Sequence, residues 1–271
     1  MCGFSGMITN PGQELRDNDL VEATNRLSHR GPDSVGFYQH GSVNLGFRRL
    51  SIIDVEGGSQ PLFNDKKTIC LVLNGEIYNF ETLRAHLNTK GHRFLTGSDA
   101  EVLLHLYVER GISAITELRG MFGFCLVDFE KGLFFLGRDR VGIKPLFYSP
   151  SSRGLAFASE IKGLVAGVAE AKLTDKRLRH YFSYGYFLRE DSPFDGVKNL
   201  EPGSYIEGSI HNPCDFRVKS YWDLPHEAES ERTEADWFEE LQHTLKEAVN
   251  LHMRSDVPPH GWARYESSGH N

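Results

Sequence analysis

Cys2 directly follows the initiator methionine. A methionine ahead of a small residue is normally removed, and the new chain end would then be a cysteine carrying both a thiol and a free α-amine. A thiol titrates near pH 8.5 and an α-amine at about 7.7–8.0, so the amine is substantially neutral at physiological pH. It can take the thiol proton, directly or through a water, and hand it to a leaving group. Nucleophile and general base then reside in one residue. Position two also reads as a chain terminus of no chemical consequence. The next residues favour an anchored end: Gly3 and Gly6 allow close backbone approach, and Phe4, Met7 and Ile8 fall as they would on a buried strand.

Two further groupings bear on the same chemistry. Asn74-Gly75 reads in one way as the preferred type I′ hairpin turn. In the other, the Asn74 side-chain amide and the Gly75 backbone N–H form an oxyanion hole, each donor worth about 3–4 kcal/mol of barrier. Arg49 and Asp99 suit the two ends of an amino-acid zwitterion. A guanidinium matches a carboxylate through its planar fork, and a carboxylate matches an ammonium. Each residue has a plainer reading, Arg49 as a solvated strand-end arginine and Asp99 as a first-turn acid on a helix dipole.

Other chemistries lack their signatures. The sequence has no Gly-x-x-x-x-Gly-Lys-Ser/Thr loop, no Gly-x-Gly-x-x-Gly after a strand and no Gly-x-Ser-x-Gly elbow. Its four cysteines, Cys2, Cys70, Cys125 and Cys214, include no Cys-x-x-Cys pair, and the 12 histidines show no ligand spacing. No metal site is expected. Cys70 and Cys125 sit in apolar runs and read as buried small hydrophobes. A formal charge of −7 argues against nucleic-acid binding. No apolar run approaches the roughly 20 residues of a membrane span, and the first residues do not form a signal peptide. A cytoplasmic protein with reduced thiols is expected.

These groups need a scaffold. Val35 to His40 and Val43 to Phe47 flank Gly41-Ser42 as a hairpin. Thr68 to Leu73 is a strand running into Asn74-Gly75. Phe122 to Phe129 and Leu133 to Gly137 form a second hairpin, and Pro145 to Tyr148 with Gly154 to Ala158 a third. Asn79 is placed to cap a helix carrying Leu83 and Leu87. Ser98 and Glu101 have the capping-box spacing ahead of a helix with Val102, Leu103, Leu106 and Tyr107 on one face. Ser113 to Leu118 reads as a short helix, and Asp175 to Tyr184 as another. Thr233 and Asp236 cap a long helix whose Trp237, Leu241, Leu245 and Val249 mark one apolar face that needs a partner; it packs on the first domain or stays exposed as the start of a second domain that is missing. Many antiparallel strands with a few helices give a layered α+β domain.

The motifs Met1-Cys-Gly-Phe-Ser-Gly6, His29-Arg-Gly-Pro-Asp33, Arg48-Arg-Leu-Ser-Ile-Ile-Asp54, Gln60-Pro61, Asn74-Gly-Glu-Ile-Tyr-Asn79, Gly97-Ser-Asp-Ala-Glu101, Arg138 to Tyr148 and Phe157 to Lys162 together resemble the class II glutamine amidotransferases, and among them the asparagine synthetases. The resemblance implies an α+β fold, a four-layer αββα N-terminal-nucleophile hydrolase sandwich with a C-terminal helical extension. It implies hydrolysis of L-glutamine to L-glutamate and ammonia through a thioester on Cys2. Asn74 and Gly75 match the oxyanion hole, and Arg49 the ligand of the substrate carboxylate. Asp99 and Glu76 match the residues at the substrate amino end. Backbone at Leu50, Ile52 and Ile53 matches the pocket wall, and His29 to Asp33 a loop near the site.

The implied plan is an amidotransferase domain over 1–190, a linker with short strands over 191–232, the first helix of a synthetase domain over 233–257 and a divergent, disordered tail over 258–271. Arg254 to Pro258 matches the start of a strand that in the family leads to an ATP-gripping Ser-Gly-Gly-x-Asp-Ser loop, and here Pro259-His-Gly-Trp comes next. The synthetase domain is therefore expected to be missing, ATP and magnesium to belong only to a longer parent, and this chain to need no cofactor. The expected partner is L-glutamine, with a homodimer or docking onto a synthetase domain left open. The alternative reading is a non-catalytic truncated form that serves as an interaction or regulatory module for a separate synthetase.

Overall fold

The computed structural model describes residues 1–164, 172–173, 175–225 and 232–257. Residues 258–271, expected to form a tail, lie outside it. Twelve strands form two antiparallel six-stranded sheets. The first sheet takes β1 (Gly3–Thr9), β2 (Ser34–His40), β3 (Val43–Arg49), β8 (Phe147–Ser151), β9 (Gly154–Ala158) and β10 (Lys198–Asn199). The second takes β4 (Leu62–Phe63), β5 (Ile69–Ile77), β6 (Gly120–Asp128), β7 (Leu133–Arg138), β11 (Ser204–Ser209) and β12 (Asn212–Ser220). Their spatial orders are β10-β8-β9-β1-β3-β2 and β12-β11-β7-β6-β5-β4. The helices are α1 (Asp17–Asn25), α2 (Phe80–Thr89), α3 (Glu101–Arg110), α4 (Asp175–Tyr184) and α5 (Glu234–His252).

Period-two alternation sorts side chains into layers. Phe4, Ile8, Val43, Leu45 and Phe47 of the first sheet meet Cys70, Val72, Cys125, Val127, Phe134 and Leu136 of the second in the inter-sheet core. Met7, Ala156 and Ala158 face outward onto Leu20 and Ala23 of α1. Leu71, Leu73, Leu126 and Phe135 face outward onto Leu83 and Leu87 of α2 and Val102, Leu103, Leu106 and Tyr107 of α3. The result is helix, sheet, sheet, helix, the four-layer sandwich the resemblance implies. Cys70 and Cys125 are wholly buried free thiols, as their apolar surroundings suggest. β11 and β12, inside the 191–232 span, complete the second sheet.

Two capping bonds expected from the sequence are not made. Asn79 is the N-cap residue of α2, but its side chain makes no capping bond; its amide accepts from Arg119 N–H at 2.9 Å and donates to the Glu117 carbonyl at 2.9 Å. A side chain with both donor and acceptor is better used tying two segments together than satisfying one helix end. Ser98 and Glu101 do not form a capping box. Ala100 is the N-cap residue of α3, and the Glu101 carboxylate instead takes the Leu95 and Thr96 N–H groups at 2.7 and 2.8 Å. Of the two readings of the Trp237, Leu241, Leu245 and Val249 face of α5, packing on the first domain is not the one seen: the face is exposed, at 46, 63, 60 and 47%. The Thr233–Asp236 capping box of that helix is present, because it needs only neighbouring residues.

Candidate active site

β1 places the residue before it, Cys2, beside the end of β3. Gly3 pairs with Arg48, which brings the thiol to the backbone of Leu50. Leu50 N–H donates to Cys2 Sγ at 3.3 Å, and the S–H faces the Leu50 carbonyl at 3.5 Å. From the other side Arg30 fixes the cysteine backbone: its Nε donates to the Cys2 carbonyl at 2.8 Å while Nη1 donates to Glu160 at 2.7 Å. Asp33 accepts from Ser51 N–H at 2.7 Å. The His29 to Asp33 loop thus braces the segment carrying the thiol, as its motif suggests. Gly31 is required there, since a Cβ would lie 2.3 Å from the Arg48 carbonyl carbon.

The second sheet supplies the opposite wall. β5 does not turn at Asn74-Gly75. It runs on to Ile77, with Asn74 opposite Gly123 and Gly75 opposite Phe122. The hairpin reading of this dipeptide is overturned by a continuous ladder to β6. Gly75 holds φ at +151°, and a Cβ there would sit 2.0 Å from the Met121 carbonyl oxygen. The Asn74 side chain is completely buried, and neither its Oδ1 nor its Nδ2 has a protein partner. A buried amide left unpaired costs about 1–3 kcal/mol, an arrangement that a fold retains at a site for a ligand.

Cys2, Asn74 and Gly75 line one cavity of about 340 Å³ together with Arg49, Leu50, Ile52, Ile53, Glu76 and Asp99. All nine residues singled out from the sequence therefore converge, from both sheets and from the start of α3. Asp99 is buried, and its carboxylate accepts from Ile77 N–H at 2.7 Å. Burial lifts its pKa to about 6 against the pull of that bond, and nearby Glu76 adds to the rise. Burial likewise raises Glu76, opposed by the Lys144 ammonium. Arg49 is buried, and its guanidinium donates to the carbonyls of Val55 at 3.0 Å and Ile53 at 3.1 Å, and to that of Asp54. A guanidinium has five donors, so this brace leaves capacity on the cavity side.

Burial also raises the Cys2 thiol, while the Leu50 N–H, the terminal amine and the Arg49 charge pull it back. The terminal amine of Met1, which lines the same cavity, is lowered by burial, with Lys144 and Arg30 adding to the fall. An amine held below its usual value is neutral for more of the time near pH 7, though it is the weaker base for it.

Among the lining residues that the sequence reading passed over are Lys144 and Gln60. Lys144 is 4% exposed, and burial lowers its ammonium against the attraction of Glu76. Gln60 pairs both ends of its amide with the backbone of Leu73, at 3.1 and 2.7 Å, and so sets β5 just ahead of Asn74. Both stand inside motifs already noted, Arg138 to Tyr148 and Gln60-Pro61, but one lysine or glutamine in a motif carries no sign that it faces a cavity. Among the described residues no group of three or more His, Cys, Asp or Glu is arranged to hold a metal, and no helix is long and apolar enough to cross a membrane.

Residues 1–222 match the model of the glutamine amidotransferase domain family. The chain belongs to that family. Among curated relatives, this amidotransferase chain is 39% identical over 265 residues to asparagine synthetase [glutamine-hydrolyzing] 1 of Bacillus subtilis, covering 95% of the chain and 41% of that protein. It is 35% identical over 273 residues to asparagine synthetase B [glutamine-hydrolyzing] of Escherichia coli, again covering 95% and 41%. The amidotransferase chain thus spans about two fifths of the length of these relatives. In fold it is similar to the glutamine phosphoribosylpyrophosphate amidotransferase of B. subtilis solved with ADP and GMP, with a TM-score of 0.57, 19% identity and coverage of 82% of this chain and 49% of that one.

Proposed function

We propose that the cavity at Cys2 hydrolyses L-glutamine to L-glutamate and ammonia, and that in a longer protein the ammonia serves asparagine synthesis. The observation that carries this reading is the Asn74 amide, fully buried, without a protein partner and in the same cavity as the Cys2 thiol. That pairing is what a thiol attacking a carboxamide needs: a nucleophile, and opposite it a donor kept free for a negative oxygen.

In this reading Met1 is removed and the Cys2 amine takes the thiol proton. The sulfur attacks the side-chain carbonyl carbon of glutamine, and the oxygen becomes an oxyanion held by Asn74 Nδ2 and the Gly75 N–H. The proton passes from the amine to the amide nitrogen, the C–N bond breaks and ammonia leaves, giving a γ-glutamyl thioester. Water, deprotonated by the same amine, attacks the thioester carbon. The C–S bond breaks, the thiol regains its proton and glutamate departs. Arg49 takes the substrate α-carboxylate. Asp99 and Glu76 take its ammonium, and Leu50, Ile52 and Ile53 form the wall along its length. Residues 1–190, with the strands β10 to β12 and the chain up to 222, are the amidotransferase domain, and 233–257 open a synthetase domain that docks onto it.

The test is glutamate release by the purified chain and by Cys2→Ala, with intact mass recorded for both. A wild-type protein lighter by one methionine should turn over while Cys2→Ala stays at background. Equal background release from a fully processed wild type and from Cys2→Ala rejects the reading.

A further inference from the structure

Beyond residue 222, where the family match ends, the described residues return to the wall of the cavity just after α5. α5 stops at His252, whose ring lies 4.2 Å from that of Tyr78. Arg254 Nη1 then reaches Glu81 at 2.5 Å. Two residues on, Asp256 N–H donates to the Ile52 carbonyl at 3.0 Å, and Asp54 N–H donates to Asp256 Oδ2 at 2.7 Å. The two bonds bracket Ile53. They join a segment outside the matched domain to the stretch that lends Ile52 and Ile53 to the cavity lining.

That stretch needs holding. Asp54 carries φ of +50°, in the left-handed region that residues other than glycine seldom occupy. Several groups oppose its relaxation. Gly57 N–H donates to Asp54 Oδ1 and Gly58 N–H to the Asp54 carbonyl, each at 3.0 Å. Arg49 binds the carbonyls of Ile53, Asp54 and Val55. Gly97 N–H, two residues ahead of Asp99, donates to Asp54 Oδ2 at 2.8 Å. Asp256 adds the bonds that satisfy the Ile52 carbonyl and the Asp54 N–H together. Arg49 and Gly97 belong to the amidotransferase domain, and Asp256 does not.

We propose that Asp256 is a positioning residue for the glutamine pocket. It fixes Ile52, Ile53 and Asp54 where the substrate requires the wall, so glutamine binding depends on the docking of the segment that comes after α5. The proposal rests on the glutamine reading of the cavity. Asp256 touches no reacting atom, so its loss acts on substrate binding rather than on the chemical step.

Steady-state hydrolysis of L-glutamine by the processed wild type, Asp256→Ala, Asp256→Asn and Arg254→Ala tests it. Asp256→Ala should raise KM roughly three- to ten-fold with kcat changed less than about two-fold, the effect of losing the Asp54 N–H bond to the Asp256 carboxylate. Asp256→Asn keeps an oxygen that accepts from Asp54 N–H, and its KM should return to within about two-fold of wild type. Arg254→Ala releases the tether and should raise KM in the same sense, which keeps the proposal testable should Asp256→Ala fold poorly. A KM unchanged in both alanine variants, or a kcat loss at constant KM, overturns it while wild-type turnover leaves the glutamine reading standing. A processed wild type without turnover removes both.

Discussion

Asn74→Ala separates a catalytic amide from a structural one, because the two roles predict opposite balances of stability and rate. The side chain is wholly buried and both polar atoms are unpaired within the protein. Removing it lifts an unsatisfied-group penalty of about 1–3 kcal/mol. It also vacates the space of a carboxamide, at about 1–2 kcal/mol by analogy with other core truncations. These nearly cancel, so the folding free energy should move by less than about 1 kcal/mol in either direction. The rate should not be spared. Loss of one oxyanion donor costs about 2.7–4 kcal/mol of barrier, a fall in kcat of roughly 10²–10³. Urea unfolding supplies the first quantity and glutamate release under saturating glutamine the second. A variant destabilised by more than about 2 kcal/mol would mean that the amide is paired in the folded protein. A kcat within about three-fold of wild type would mean that it does not face the reacting carbonyl. Either result removes Asn74 from the oxyanion hole.

Two further changes probe the same cavity. Burial raises Asp99 to about 6 from an ordinary 3.8. A carboxyl whose pKa is raised on folding favours the folded state below its unfolded value, and that contribution is lost as pH rises through the folded value. Between pH 4 and 7, Asp99→Asn should therefore gain on the wild type by about 2–3 kcal/mol in urea unfolding. Glutamine binding runs the other way, since the substrate ammonium needs the ionised form. On Cys2→Ala, the calorimetric Kd for L-glutamine should rise as pH falls below about 6, and a flat Kd between about pH 7 and 5 would dissociate Asp99 from the ammonium. Gly75→Ala meets the Met121 carbonyl oxygen at 2.0 Å with φ at +151°. A loss of about 2–4 kcal/mol in unfolding free energy is expected, and a loss below about 1 kcal/mol would show that the strand yields there.

Features that depend on near neighbours were legible in the order of residues alone. Hairpins came from short polar turns between alternating runs, and they appear as β2 with β3, β6 with β7, and β8 with β9. The Thr233–Asp236 box starts α5 where its spacing says. The ordered motifs named the family, and with it nine of the residues that line the cavity. How those residues meet was settled by long-range pairing and packing. Asn74-Gly75 prefers a turn, and only nine residues of pairing with β6 hold it extended, because a ladder of backbone hydrogen bonds outweighs one local preference. Asn79 and Glu101 have cap-like spacing, yet distant backbone N–H groups claimed their side chains. Cys2 and Arg49 stand at the ends of neighbouring strands of one sheet, Asn74 comes from the other sheet and Asp99 from a helix start, so no spacing along the chain measures their approach. The contact of Asp256 with Ile52 and Asp54 bridges about two hundred residues, and its partners at Ile52 and Asp54 are backbone groups. Backbone groups are the same at every position, so a sequence carries no mark of which pair will bond.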